Sequence, residues 1–216
     1  MFIPLAFRPS FTQTPDISSQ TQNTTQNFVQ VEVTDPTLTS WGEDARKLMI
    51  LWYPKIERML KDKVEKHPKT VYLVIDTHGN GVAGTGGRRI EVNGDYVRKH
   101  PTDIGLVVHE LTHVVQAYPH YNPSWLVEGI ADYVRWFNYE PVSVRPHPKA
   151  ATVDYHHGYR EVAAFLNWAT LKYDRNLVPK LNHALQTDTY SDQTWQDSTH
   201  HSFDDLWNDY VQSLKS

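Results

Sequence analysis

The chain has 216 residues, no cysteine, and a formal net charge of −4 from 21 basic and 25 acidic side chains. The absence of cysteine excludes disulfide frameworks, iron–sulfur clusters and thiol nucleophiles. The acidic balance argues against a nucleic-acid partner, and no apolar stretch approaches the roughly 18 residues that a membrane span needs. We therefore expect neither nucleic acid nor a membrane as a partner, and the 12 histidines direct attention to metal binding.

The N-terminal segment, residues 1–27, is predicted to be a flexible or loosely docked extension because it is rich in Ser, Thr, Gln and Asn. Its first ten residues lack a basic start and contain proline, so they form a poor signal peptide. Residues 28–216 are predicted to form a single domain, since this length is typical of one domain. Strand patterns at 28–34 and 71–76 flank a helical pattern at 41–65.

The glycine-rich segment 79–87 is predicted to be a loop, and it lacks the spacing of a P-loop or a dinucleotide-binding turn. Residues 88–92 alternate between apolar and polar, which predicts an edge strand. Ile90 could then bind an extended peptide substrate by strand addition, with a plain mobile hairpin as the alternative. Helical patterns follow at 102–115, 123–138, 157–172, 175–186 and 202–214. Strands followed by helices indicate an α+β fold.

The helix predicted at 102–115 contains His109-Glu110-Leu111-Thr112-His113, the H-E-x-x-H pattern of zinc enzymes. His109 and His113 are four residues apart and share one helix face, so both imidazoles can bind one ion. Glu110 then lies beside the ion, where it can act as general base. Apolar residues flank the motif, and charge is costly there without a partner. Two satisfied core histidines with an ion-paired glutamate are the alternative.

A catalytic zinc site needs a third protein ligand and keeps one position for water. Glu128 and Asp132 are candidates, because they lie one turn apart in an apolar helical segment. We predict Glu128 as the third ligand and Asp132 as the carboxylate that orients a zinc-bound histidine. Two alternatives stay open: Asp132 as the ligand itself, and an ordinary ion pair with Arg135.

The segments HELTHVVQ (109–116) and PSWLVEGIADYVRW (123–136) resemble the basic secretory protein family, which is grouped with the gluzincin-type zinc metallopeptidases. The resemblance covers roughly residues 28–215. It implies a zincin-like metallopeptidase fold, with a small N-terminal sheet, an edge strand over the cleft, the HExxH helix and a helical C-terminal half. It also implies a secreted protein.

The same resemblance implies roles for single residues. It makes His109, His113 and Glu128 the ligands of one Zn²⁺ and Glu110 the base. It makes Asp132 the acid that contacts a metal ligand rather than the metal. Two features depart from the family pattern. Only 14 residues separate His113 from Glu128, fewer than in larger gluzincins, and the chain is mildly acidic despite the family's name.

Peptide hydrolysis also needs a donor for the oxyanion that develops on the attacked carbonyl. Tyr159 lies at the start of a predicted helix, which resembles the position of the catalytic tyrosine in gluzincin aminopeptidases. Tyr155 and His157 are the next candidates after Tyr159, for contacts with substrate. A tyrosine that simply packs at a helix start is the alternative.

These observations predict a zinc-dependent peptidase that hydrolyses peptide bonds through zinc-activated water, with Glu110 as general base. We expect an endopeptidase that acts on peptide or protein substrates as a monomer. One rival hypothesis is a zinc-binding protein that recognises peptide or glycan without cleaving it. Another is a purely structural metal, which four protein ligands would enclose.

Overall fold

The structure is a computed structural model, and it describes residues 28–61, 69–77, 81–156 and 158–215. The extension predicted at 1–27 lies outside the described residues, and so does His157. Within the described ranges, no helix is long and apolar enough to cross a membrane.

A four-stranded mixed sheet forms one layer of the fold. The strands are β1 Val29–Val33, β2 Val71–Asp76, β3 Ala83–Gly86 and β4 Arg89–Asn93. They lie in the order β1-β2-β4-β3. The first two run parallel to each other, and β4 is parallel to β2, whereas β3 pairs antiparallel with β4. The sheet buries Leu73, Ile75 and Ile90 against the helices.

The edge strand next to the HExxH helix is β3, which corrects the prediction for residues 88–92. Those residues form β4, which is paired on both sides by β2 and β3. Ile90 is paired with Leu73 on one side and Thr85 on the other, and its side chain is completely buried, so no free backbone edge is left there for strand addition. The segment predicted to be a loop supplies the edge strand instead, because a turn at Gly87, with a φ of 59°, folds it back onto β4.

Helices make up most of the remaining described chain, and the longer ones follow the predicted pattern. The helices are α1 Thr39–Leu60, α2 Gly94–Lys99, α3 Leu106–Gln116, α4 Ser124–Asp132, α5 Tyr159–Lys172, α6 Leu177–Gln186, α7 Gln193–Thr199 and α8 Phe203–Ser213. A π-helical segment, Tyr133–Tyr139, continues α4. The sequence does not predict α2 and α7, which are shorter than eight residues, since so few turns show little periodicity.

Helix α3 lies at the centre of the packing, since it contacts α1, α4 and the edge strand β3. Its partner α4 packs along α5. The two helix backbones approach closely at Gly129, where a Cβ would lie 2.2 Å from Cγ1 of Val162. This packing places one face of α3 between a sheet edge and two helices. The α+β class is therefore confirmed.

Candidate metal and catalytic site

Three side chains from α3 and α4 converge where these helices meet. The Nε2 atoms of His109 and His113 are 3.2 Å apart. Glu128 on α4 places Oε2 3.1 Å from Nε2 of His109 and Oε1 3.6 Å from Nε2 of His113. The donor atoms of these residues lie within 4.8 Å of one another, so they form a group that could hold a metal ion.

The spacing of these donors fits a tetrahedral ion. Zinc–nitrogen and zinc–oxygen bonds of about 2.0–2.1 Å put neighbouring ligand atoms of a tetrahedron about 3.3 Å apart. The observed separations of 3.1, 3.2 and 3.6 Å lie around that value. Among the described residues the group contains three donors, the number that catalytic zinc sites use when they leave a position open.

The other ring nitrogen of each histidine has its own acceptor, which fixes the ring. Nδ1 of His109 lies 2.8 Å from Oδ1 of Asp132, a carboxylate that is only 6% exposed. Nδ1 of His113 lies 2.7 Å from Oε1 of Gln116, which is 1% exposed. Acceptors at Nδ1 hold the proton there and leave Nε2 free to bind an ion.

This geometry bears on the alternatives for Asp132 and Arg135. The Asp132 carboxylate contacts the far side of the His109 ring, whereas Glu128 faces both Nε2 atoms. Arg135 pairs with Asp103 and, at 3.5 Å, with Glu140. The acidic pair on α4 therefore faces the histidines of α3, and the arginine charge is used elsewhere.

The charged neighbours strongly shift the pKa values of this group in the metal-free chain. Burial by itself would lower the pKa of His109, but hydrogen bonds with Asp132 and Glu128 outweigh it and raise that pKa to about 10. Burial would raise the pKa of Glu128, but hydrogen bonds with His109 and His113 lower it to about 2. The metal-free site is therefore held together by charge, and a metal cation must displace the His109 proton.

Glu110, the predicted base, is 7% exposed and is held by a residue that sequence analysis missed. The hydroxyl of Thr85 in β3 lies 2.7 Å from Oε2 of Glu110 and 3.1 Å from its main-chain oxygen. Thr85 thus links the edge strand β3 to α3, the helix that carries the H-E-x-x-H motif. Its sequence neighbours are glycines, and nothing in that segment pointed to the motif.

Gln116 is the second residue that sequence analysis missed. Besides contacting His113, it donates from Nε2 to the main-chain oxygen of Val127, 3.0 Å away. One amide therefore orients a histidine of α3 and fastens it to α4, next to Glu128. A signal was present here, because Gln116 follows His113 by three residues and so lies on the same helix face.

A cavity of about 1020 Å³ opens over the site, lined by His109, Glu110, His113 and Glu128. Tyr159, the first residue of α5, is 45% exposed and lines the same cavity. A second cavity of about 640 Å³ also touches Thr85, His113 and Tyr121, which line the first one too. The two cavities therefore adjoin beside His113, and together they are called the groove.

Tyr155 lies elsewhere, which corrects its predicted place at the site. Its ring packs against Trp125, Phe203 and Trp207, with centroids 5.3, 4.9 and 5.2 Å away. It lines a different cavity with Trp125 and Phe203. The ring of Tyr155 packs in this aromatic cluster because the contacts remove apolar surface from water.

Comparison with known protein families agrees with the motif. The family model of BSP, described as peptidase of plants and bacteria, matches residues 16–210. No curated protein and no solved structure matches the chain. The matched region includes the H-E-x-x-H helix, Glu128 and the first residues of α5. The resemblance seen in the sequence is confirmed: the chain belongs to the basic secretory protein family of peptidases of plants and bacteria.

Proposed function

We propose that the protein is a zinc-dependent endopeptidase. The observation that carries this proposal is the convergence of two imidazole Nε2 atoms and the Glu128 carboxylate at 3.1–3.6 Å, with Glu110 on the same helix. The cavity over this group favours a catalytic metal, since a purely structural metal is enclosed by its ligands. Zinc bound by His109, His113 and Glu128 would supply a Lewis acid that polarises the scissile carbonyl and makes water acidic.

The proposed general base is Glu110. It takes a proton from the attacking water and passes that proton to the leaving amine nitrogen. The Thr85 hydroxyl holds Oε2 of this carboxylate, so Oε1 is left to receive the proton. The proposed donor to the oxyanion is the hydroxyl of Tyr159, because it is exposed in the same cavity.

Endopeptidase action is favoured by the groove, because its larger cavity contains the three metal-binding side chains and its smaller cavity adjoins it at His113. A peptide can then be bound on both sides of the bond that is cut. Ala83, Gly84 and Thr85 of β3 line the larger cavity, and in the described chain β3 has only one paired neighbour, β4. An extended peptide that paired with the outer edge of β3 would gain backbone hydrogen bonds that do not depend on its sequence.

The metal is tested by elemental mass spectrometry on protein purified without chelator or immobilised metal. We expect about one zinc per chain, falling sharply in His113→Ala and Glu128→Ala. His183→Ala and Glu43→Ala are matched controls, since both side chains are exposed and lie outside the group. Loss in Asp132→Ala but retention in Glu128→Ala would reassign the third ligand.

Catalysis is tested with Glu110→Gln, which keeps the size of the side chain but removes the base. We expect this variant to retain zinc and to lose cleavage of an unfolded protein substrate. If zinc-loaded wild type cleaves no unfolded protein or peptide, the peptidase proposal fails and the zinc-binding recognition protein takes its place. Absence of metal even after added zinc would remove the metal proposal itself.

A further inference from the structure

One arginine side chain that lines the larger cavity has no part in the proposed hydrolysis. Arg160 follows Tyr159 in α5 and lines the cavity together with His109 and Glu110. Its guanidinium carbon lies 4.2 Å from the ring centroid of Trp136, so the side chain is held by a cation–π contact. In the part of the chain that the structure describes, Arg160 has no carboxylate within ion-pair distance.

A second arginine, Arg135, contacts the same Trp136 ring, but unlike Arg160 it has carboxylate partners. The guanidinium carbon of Arg135 lies 4.4 Å from the Trp136 centroid, but Asp103 and Glu140 pair with its charge. Asp103 is also fixed by the hydroxyl of Tyr96, which donates to it at 2.7 Å. Of the two guanidinium groups on this ring, only that of Arg160 is left for a ligand.

The acidic side chains of the cavity are already engaged. Glu128 and Asp132 contact the histidines, and Glu110 accepts from Thr85. The remaining one, Glu161, folds over Gly158 at the start of α5, where a Cβ would come within 1.9 Å of its Oε2. A carboxylate at that end of a helix is stabilised by the helix dipole. Of the two arginines that line this cavity, Arg160 is therefore the one without a carboxylate partner among the described residues.

We infer that Arg160 is a subsite for a carboxylate of the peptide substrate, close to the bond that is cut. A planar guanidinium binds a carboxylate through two parallel hydrogen bonds. The Trp136 ring already orients it, so less side-chain freedom is lost on binding. The inference rests on the proposed peptidase function and adds a substrate class to it. The carboxylate can come from an Asp or Glu side chain or from the C-terminus of the peptide.

The test uses matched internally quenched peptides that differ only by Glu or Gln at each position around the cleaved bond. Each peptide is made with a free and an amidated C-terminus. We expect wild type to prefer Glu at one position, or the free C-terminus, by about tenfold in kcat/KM, as a charge-assisted hydrogen bond gives. The preference should fall toward one in Arg160→Gln and invert in Arg160→Glu.

Arg175→Gln is the matched control, because this arginine is exposed and lies outside both cavities of the groove. It makes the same change in net charge and should keep the wild-type preference. An unchanged preference in Arg160→Gln would overturn the inference. So would an equal loss of activity on the Glu and Gln peptides, since that result assigns Arg160 to the reaction rather than to recognition.

Binding separates a failure of the inference from a failure of the proposed function. The dissociation constants of the same peptides are measured on zinc-loaded Glu110→Gln, with and without Arg160→Gln. A Glu preference that disappears with Arg160→Gln supports the carboxylate subsite even if wild type cleaves nothing. Equal binding of the Glu and Gln peptides, and of the free and amidated forms, to the protein with Arg160 intact would overturn it.

Discussion

At the scale of single residues, the orientation of Glu110 depends on one hydroxyl group. Thr85→Val keeps the branched shape of the side chain but removes the hydrogen bond to Oε2 of Glu110. Hydrogen bonds to charged groups contribute about 1.5–3 kcal/mol, so we expect kcat to fall about tenfold or more while KM and zinc content stay close to wild type. Thr85→Ser should restore kcat. Steady-state kinetics with wild-type kcat in Thr85→Val would contradict this role.

Gln116 is expected to act on the metal rather than on the base. Gln116→Leu removes the acceptor for Nδ1 of His113 and the side-chain hydrogen bond to the main-chain oxygen of Val127. Loss of such a supporting contact lowers metal affinity by about 10- to 100-fold, which competition with a chromogenic zinc chelator would measure. Gln116→Glu still offers an acceptor to His113 and should bind zinc more tightly than Gln116→Leu. Equal zinc affinity of Gln116→Leu and wild type would refute the assignment.

The residues that the sequence could predict are those placed by a single helix. Spacing alone put His109 and His113 on one face with Glu110 beside them, and the apolar setting marked Glu128 and Asp132 as acids that need partners. Thr85 could not be found this way, because its contact with Glu110 spans 25 positions and depends on how the sheet edge meets α3. Arg160 could be read as a charged residue in the sequence, but not as an unpaired one.

At the scale of elements, hydrophobic periodicity located the long helices but misplaced the edge of the sheet. β4 alternates clearly because the side chains on one of its faces are buried. β3 has the sequence Ala-Gly-Thr-Gly, with almost no side chain to bury, so its strand character comes only from backbone pairing with β4. A strand with so few side chains carries little hydrophobic pattern, and so the sequence indicated a loop there.

The contact between α4 and α5 determines where Glu128 and Tyr159 stand relative to each other. Gly129→Ala would force a Cβ to within 2.2 Å of Cγ1 of Val162, closer than any real contact. Overpacking of this kind costs typically about 1–3 kcal/mol, and we expect that loss in the free energy of unfolding measured with urea. Val162→Ala in the same chain removes the 2.2 Å contact and leaves only the Cβ of residue 162, at 2.9 Å, so it relieves most of the clash. The double variant should therefore lose less stability than the two single losses added together.

At the scale of the whole molecule, the site lies where separate parts of the chain meet: the edge strand β3, the motif helix α3 and the pair α4–α5. Thr85 links the first two and Gln116 links α3 to α4. A metal ion bound by His109 and His113 of α3 and by Glu128 of α4 would add a further link between these two helices. Because a ligand stabilises the state that binds it, zinc binding should appear in the stability of the entire fold.

The pH dependence of that stabilisation follows from the metal-free site. His109 has a pKa raised to about 10, so its contribution to stability is complete below about 6.5, the unfolded value, and is lost as pH rises toward 10. The pKa of Glu128 is lowered to about 2, so its contribution is present above about 4.5 and is lost as pH falls toward 2. The two contributions are therefore both complete between about pH 4.5 and 6.5.

Stabilisation by zinc should increase at alkaline pH, where the metal-free fold loses stability. The ion takes the place of the His109 proton, so raising the pH removes a competitor for the site while it weakens the metal-free fold. We expect the increase in Tm caused by zinc to be larger at pH 8.5 than at pH 6, measured by calorimetry against protein held in a chelator. Asp132→Asn should lessen the pH dependence of the metal-free chain, because it removes one of the charges that hold the proton on His109. A zinc effect on Tm that is equal at both pH values would mean that zinc binding does not displace this proton, and the three-donor site would then have to be reconsidered.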